Sequence, residues 1–300
     1  MKVVETLKRR EVDLALLLVA ALWGASYLTA KTLTEHATVL SVLSIRFSIT
    51  SIAMFIIWTF KRTSISRAEW ILGTCLGSVQ ALIIYCETAG VSRTTATNAG
   101  LIISLCIVLT PILESVASKN WLPRSFFVAA VMAVVGVGLL VSDNGFSAPS
   151  IGDWLMLAAA FVRAIHVTAM GHLTKSKNFS SVSITFLQSL TCALIFLLVA
   201  GHNTVDAIRT FHSAQWFEIS FLSLFAGAFA FLLTLWGIRR TSSSRASLLL
   251  GTEPVWAVIV GVVLGGEKLL VLGAIGAVLI VGATYVGQEI ELNHRTKEIF

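Results

Sequence analysis

Charge is what this sequence has least of: only 13% of its 300 residues are Asp, Glu, Lys or Arg. Soluble domains run nearer a quarter charged, so a water-exposed globular chain is excluded. The hydrophobic fraction of 56% and the mean hydropathy of +0.86 exclude it again. Cysteine is scarce too. Cys75, Cys86, Cys106 and Cys192 all lie inside apolar runs, with no pair spacing that suggests a metal site or disulfide framework; we expect small core residues. There is no Gly-rich phosphate loop, no His-Glu-x-x-His and no Gly-x-Ser-x-Gly elbow. An enzyme is therefore not expected, and without a nucleotide-binding domain neither is a primary pump. No low-complexity segment appears, and the longest polar connection, at about 201–213, is too short for a folded soluble domain.

What remains is a series of apolar runs, each about the length that spans ~30 Å of hydrocarbon as helix. They fall at roughly 13–33, 39–60, 68–89, 95–117, 123–142, 151–173, 182–200, 214–237, 246–265 and 268–289. Lipid cannot satisfy unpaired backbone groups, so each should be helical. The expectation is an all-α integral membrane protein of ten transmembrane helices. The first run follows a basic lead (Lys2, Lys8, Arg9, Arg10) but is too long for a signal peptide and lacks a small-residue cleavage site.

The runs repeat. Arg93, Thr94, Ala99 and Leu101 recur at constant offset as Arg240, Thr241, Ala246 and Leu248, and Asp13 and Ala20 recur as Asp153 and Ala160. We read a short segment, 1–12, then a first repeat over 13–143, a second over 150–289 and a tail over 290–300. With both termini cytoplasmic, 16 of the 22 Lys and Arg fall on the cytoplasmic side, 3 on the other and 3 within spans, as the positive-inside rule favours. The net charge of +6 thus reflects orientation in a membrane and implies no nucleic-acid partner. Five spans per repeat invert the second repeat relative to the first. Inverted repeats around a midplane site are a design of secondary transporters.

Trp23-Gly24-Ala25-Ser26, Arg46-Phe47, Gly152-Asp153-Trp154-Leu155, Glu253-Pro254-Val255 and Gly266-Glu267, taken in order, resemble the EamA-domain pattern of the drug/metabolite transporter superfamily. The resemblance covers about 11–289. Two departures separate the halves: Asn120 stands where the second has Glu267, and Pro111 sits one turn later than Pro254 would predict. The resemblance implies a ten-helix basket of two five-helix repeats around a central cavity lined by spans 1, 3, 4, 6, 8 and 9. It also implies export of small metabolites, often amino acids or related compounds.

Depth selects the site residues, because an ionisable group at mid-bilayer costs at least ~2.5–3.5 kcal/mol unless paired or hydrated. Arg163 lies near the centre of the sixth span with His166 three residues on, hence on one face. Trp23 and Tyr27 stand at similar depth in the first span, and Glu253 and Trp256 in the ninth. Arg163 either pairs with Glu253, binds a substrate carboxylate in bidentate fashion, or faces a hydrated vestibule. Glu253 is the proton-coupling candidate, a role that tight pairing with Arg163 opposes. Gln80 and Ser104 lie near mid-depth and either bind substrate or bond between helices.

Other residues carry structural expectations. Arg46 is read as structural, and Asn98, Glu87 and Glu114 as rim residues. Trp58, Trp70, Trp121, Trp154, Trp216 and Trp236 sit at span ends, where aromatic belts form. Gly73, Gly77, Gly261, Gly265, Gly273, Gly276 and Gly282 mark close-packing faces, and Pro111 and Pro254 kinks. The expected function is an alternating-access exporter of amino acids or related metabolites in a prokaryotic inner membrane, with proton coupling open. The alternatives are an uncoupled facilitator or a carrier of drugs, lipids or other metabolites. Its partners would be a small-molecule substrate and the lipid bilayer, as monomer or homodimer, without cofactor or metal.

Overall fold

A backbone in lipid must bond to itself, and the computed structural model meets that demand with helices alone among its described residues. These are 2–93, 102–103, 105–142, 150–175, 177–201, 203–265 and 271–297. The helices are α1 (Lys2–His36), α2 (Val39–Lys61), α3 (Arg67–Val91), α4 (Cys106–Ser118), α5 (Arg124–Ser142), α6 (Ile151–Thr174) and α7 (Ser181–Ala200). The short α8 (Asn203–Thr210) leads into α9 (Ser213–Arg240), and then come α10 (Ser243–Leu250), α11 (Glu253–Gly265) and α12 (Val271–Lys297). Seven stretches are long and apolar enough to cross a membrane, and two shorter apolar helices, Cys106–Ser118 and Arg124–Gly136, stand beside them. The outward faces carry Phe60, Leu198, Phe217 and Val278, all largely exposed, as hydrocarbon contact requires. This is an all-α integral membrane protein.

Local chemistry sets where the helices begin. Ser66 and Glu69 form a capping box at the start of α3, and the Glu69 Oε1 also accepts from the Ser180 amide at 2.7 Å, tying α3 to the start of α7. Ser150 and Asp153 cap α6 in the same way. Along their length α3 and α7 touch closely. A Cβ on Gly73 would stand 2.6 Å from Leu187 Cβ, and one on Gly77 2.9 Å from Gln188 Cα.

Helix packing is paired. α5 lies against α12, α2 against α7, and α3 against both α6 and α7. α1 packs on α11, α9 and α10, while α4 packs on α6 and α10.

α1 begins at Lys2 and α12 runs to Lys297, so the described parts of the 1–12 segment and of the 290–300 tail are helical. Other expectations need correction. The ninth span is two helices with a break at Gly251 and Thr252. Pro254 therefore lies in the first turn of α11, where a missing N–H costs nothing, and does not kink a continuous helix. Pro111 does lie inside α4. Gly282 faces open space, and Cys75 is exposed where a core residue was expected. Gly136, which was not singled out, meets the Gly276 carbonyl at 2.9 Å from its would-be Cβ. Of the six belt tryptophans, Trp70, Trp121, Trp154 and Trp216 are exposed, whereas Trp58 stacks on Phe186.

α9 holds a feature the sequence did not announce. Leu224–Phe229 is a π-helical turn. Such a turn loosens the regular hydrogen-bond ladder, and the Ala226 carbonyl inside it accepts from Trp23 Nε1 at 3.0 Å.

Candidate functional site: a charged cavity between the helices

α1, α3, α4, α6 and α9–α11 surround a cavity of ≈ 110 Å³. That is room for several waters or one small solute, given the ~10–15 Å³ of such volume one water needs. Its walls carry Trp23, Tyr27, Gln80, Glu87, Arg163, His166 and Glu253, with Arg46 of α2 closing one side.

The centre is an arginine held by two carboxylates. Arg163 Nη2 lies 2.7 Å from Glu87 Oε1 of α3, and Arg163 Nη1 donates to Glu253 Oε2 of α11 at 3.2 Å. Below the guanidinium lies the Trp23 ring, 5.1 Å from the arginine carbon, a cation–π distance. Trp23 is fixed there by its bond to the π turn of α9. One ion cluster thus joins α1, α3, α6 and α11. His166, one turn along α6, places Nε2 3.1 Å from the Leu76 carbonyl. A carbonyl only accepts, so Nε2 carries the proton and the ring is anchored to α3. Around the α10–α11 break, Ser247 donates to the Cys106 carbonyl at 2.8 Å, and Cys106 Sγ to the Ala160 carbonyl.

Of the residues singled out by depth, Trp23, Tyr27, Gln80, Arg163, His166 and Glu253 come together on this cavity. Trp256 does not line it: of α11 only Glu253 and Pro254, the first two residues, reach the cavity, and one turn further along the helix has passed beyond it. Ser104, Asn98, Gly266 and Glu267 lie outside the described residues. Two residues read as structure or rim line the cavity as well. Glu87 is in the central ion pair, and Arg46 is buried on the cavity wall. The signal for Glu87 was available: Gln80, Ile83, Ile84, Glu87, Thr88 and Val91 follow the helical period and share one face. Arg46 gave none, because depth along a helix does not say which face is covered.

Glu114, expected at a rim, takes a different role. Its carboxylate accepts from the Ser243 amide at 3.2 Å, from the Ser244 amide at 2.6 Å and from the Ser244 hydroxyl, and so caps α10. Nearby, Arg245 grips Asp13 at 2.7 and 3.0 Å and approaches Glu291 at 3.7 Å, while Ser242 donates to Glu291 at 2.7 Å. Among the described residues no group of three or more His, Cys, Asp or Glu side chains could hold a metal ion.

The EamA-like transporter family model matches residues 11–142 and again 150–286. The chain belongs to the EamA-like transporter family. An uncharacterized transporter of Archaeoglobus fulgidus is 28% identical over 293 residues, covering 94% of this chain and 87% of that protein. The uncharacterized transporter YetK of Bacillus subtilis is 24% identical over 282 residues, 89% and 83% of the two chains. One protein solved by crystallography superposes with a TM-score of 0.75 at 17% identity, over 95% of this chain and 98% of that one. That likeness concerns the fold alone. For this EamA-like chain, family and membrane-spanning helices together give a membrane transporter.

Proposed function

We propose that this transporter is an alternating-access secondary carrier that exports amino acids or closely related metabolites across a prokaryotic inner membrane. The observation that carries the reading is the Arg163 cluster, in which one largely covered cation faces buried carboxylates from two other helices. Two carboxylates around one arginine leave an excess negative charge at that centre, and buried charge is costly until it is balanced. A proton or a substrate ammonium group balances it. Proton and substrate would then compete for Glu87 and Glu253, which is a coupling mechanism.

Packing supports an arrangement of ten spans in two inverted repeats. Exchanging first-repeat helices for their second-repeat counterparts turns the α1–α11 contact into the α4–α6 contact, and leaves the α2–α7 and α5–α12 pairs in place. A carrier built this way rocks one half against the other around a midplane site. The broken α10–α11 pair bordering the cavity fits such a site. The positive-inside distribution of Lys and Arg supports cytoplasmic termini.

Proteoliposome flux of labelled amino acids, with and without an imposed pH gradient, tests the proposal. Saturable flux driven by the gradient is expected. Flux indifferent to the gradient would leave a facilitator and return Glu87 and Glu253 to a structural role. Absence of flux for every amino acid would overturn the substrate class.

A further inference from the structure

Arg163 was the natural candidate to bind a substrate carboxylate, but its two carboxylate partners already engage it. The cavity holds a second guanidinium that is not so engaged. Arg46 is only 6% exposed and lines the cavity from α2. Among the described residues no carboxylate lies within ion-pair distance of it and no side-chain hydrogen bond is made by it; its Nε is buried without a partner. The Phe47 ring centre lies 5.7 Å from its guanidinium carbon. Glu87 is the carboxylate whose field reaches it most, and Glu87 is committed to Arg163.

A buried arginine without an ion-pair partner is among the most costly side chains a membrane protein can carry. Most such residues are paired, so an unpaired one facing a cavity marks a place where an anion arrives. The geometry assigns Arg46 as the anion-binding subsite of the cavity, taking the carboxylate of the transported solute in bidentate fashion. Arg presents a planar fork of donors that matches a carboxylate. The carboxylates at Arg163 then form the opposite pole, so the cavity is suited to a solute with an anionic and a cationic end. The Thr110 hydroxyl is also on the cavity wall and also without a hydrogen-bond partner. That a carboxylate reaches this pocket at all rests on the carrier reading above; the affinity of the pocket for one does not.

The test is therefore a binding measurement separate from flux. Thermal unfolding of the purified full-length protein in detergent is followed with matched pairs: an amino acid and its carboxamide, acetate and acetamide, propionate and propionamide. A ligand that binds only the folded state raises the midpoint according to its concentration over its Kd. Carboxylates should stabilise the wild type more than their amides. A hydrogen bond to a charged group is worth ~1.5–3 kcal/mol, so Arg46→Gln should reduce that preference roughly 10- to 100-fold. Arg46→Lys, which keeps the charge and loses the fork, should retain part of it, and both variants should elute as monodisperse folded protein. Stabilisation by the amino acid but not by acetate or propionate would assign the subsite to zwitterions. A preference that survives in Arg46→Gln, or a wild type that does not distinguish acid from amide, would overturn the assignment. Preference without flux would leave the subsite standing and remove the carrier reading.

Discussion

At the scale of single residues, the pivotal fact is that Arg163 bridges two buried carboxylates. If Arg163 served only to bind substrate, Arg163→Ala would lose transport and stay folded. The structure changes that expectation. Removing the arginine leaves Glu87 and Glu253 buried and unpaired, and breaking a buried pair costs about 3–5 kcal/mol. Arg163→Ala should therefore lower the unfolding midpoint markedly, and the triple variant with Glu87→Gln and Glu253→Gln should recover most of the loss. A triple variant no more stable than Arg163→Ala would show that the carboxylates do not depend on the arginine.

Helix contacts and caps set the next scale. Gly73 brings α3 against α7 so closely that Gly73→Ala must displace Leu187 or the helix itself. Overpacking of this kind costs about 1–3 kcal/mol, and a thermal melt should show it; an unchanged midpoint would mean the two helices are less closely packed than described. Glu114 caps α10 from a different helix. Glu114→Ala should destabilise by about 0.5–2 kcal/mol, as loss of a cap does. Glu114→Gln, which keeps an acceptor, should cost less. These elements also show what a sequence can disclose. The apolar runs and the echo of Arg93-Thr94 in Arg240-Thr241 were visible in the letters, because length and repetition are properties of the chain itself. So was the site depth of Trp23, Arg163 and Glu253. The π turn at Leu224–Phe229 was not, since nothing in Leu-Phe-Ala-Gly-Ala-Phe distinguishes it from an ordinary apolar helix. Nor was the break at Gly251–Thr252, where one glycine in an apolar run has many meanings. The place of Arg46 on the cavity wall was not legible either, because the face a residue occupies is a property of three-dimensional packing.

For the whole molecule, the claim is that helices from both repeats enclose one charged cavity and expose it alternately to the two sides. The α5–α12 pair stands away from the cavity, while α1, α4, α6 and α11 meet around it, with Arg46 of α2 and Gln188 of α7 on its wall. Ions at the Arg163 centre join α3, α6 and α11, so any change in their protonation or ligand bears on several helices at once. The measurement that tests this most directly is counterflow. Vesicles holding the purified protein are loaded with an unlabelled amino acid, diluted into a trace of the labelled one, and sampled over time. An alternating-access carrier returns with labelled solute after releasing unlabelled, so the label should rise above its equilibrium level inside and then fall. Label that climbs only to equilibrium, at a rate the internal solute does not alter, would contradict the account and describe a passive pore.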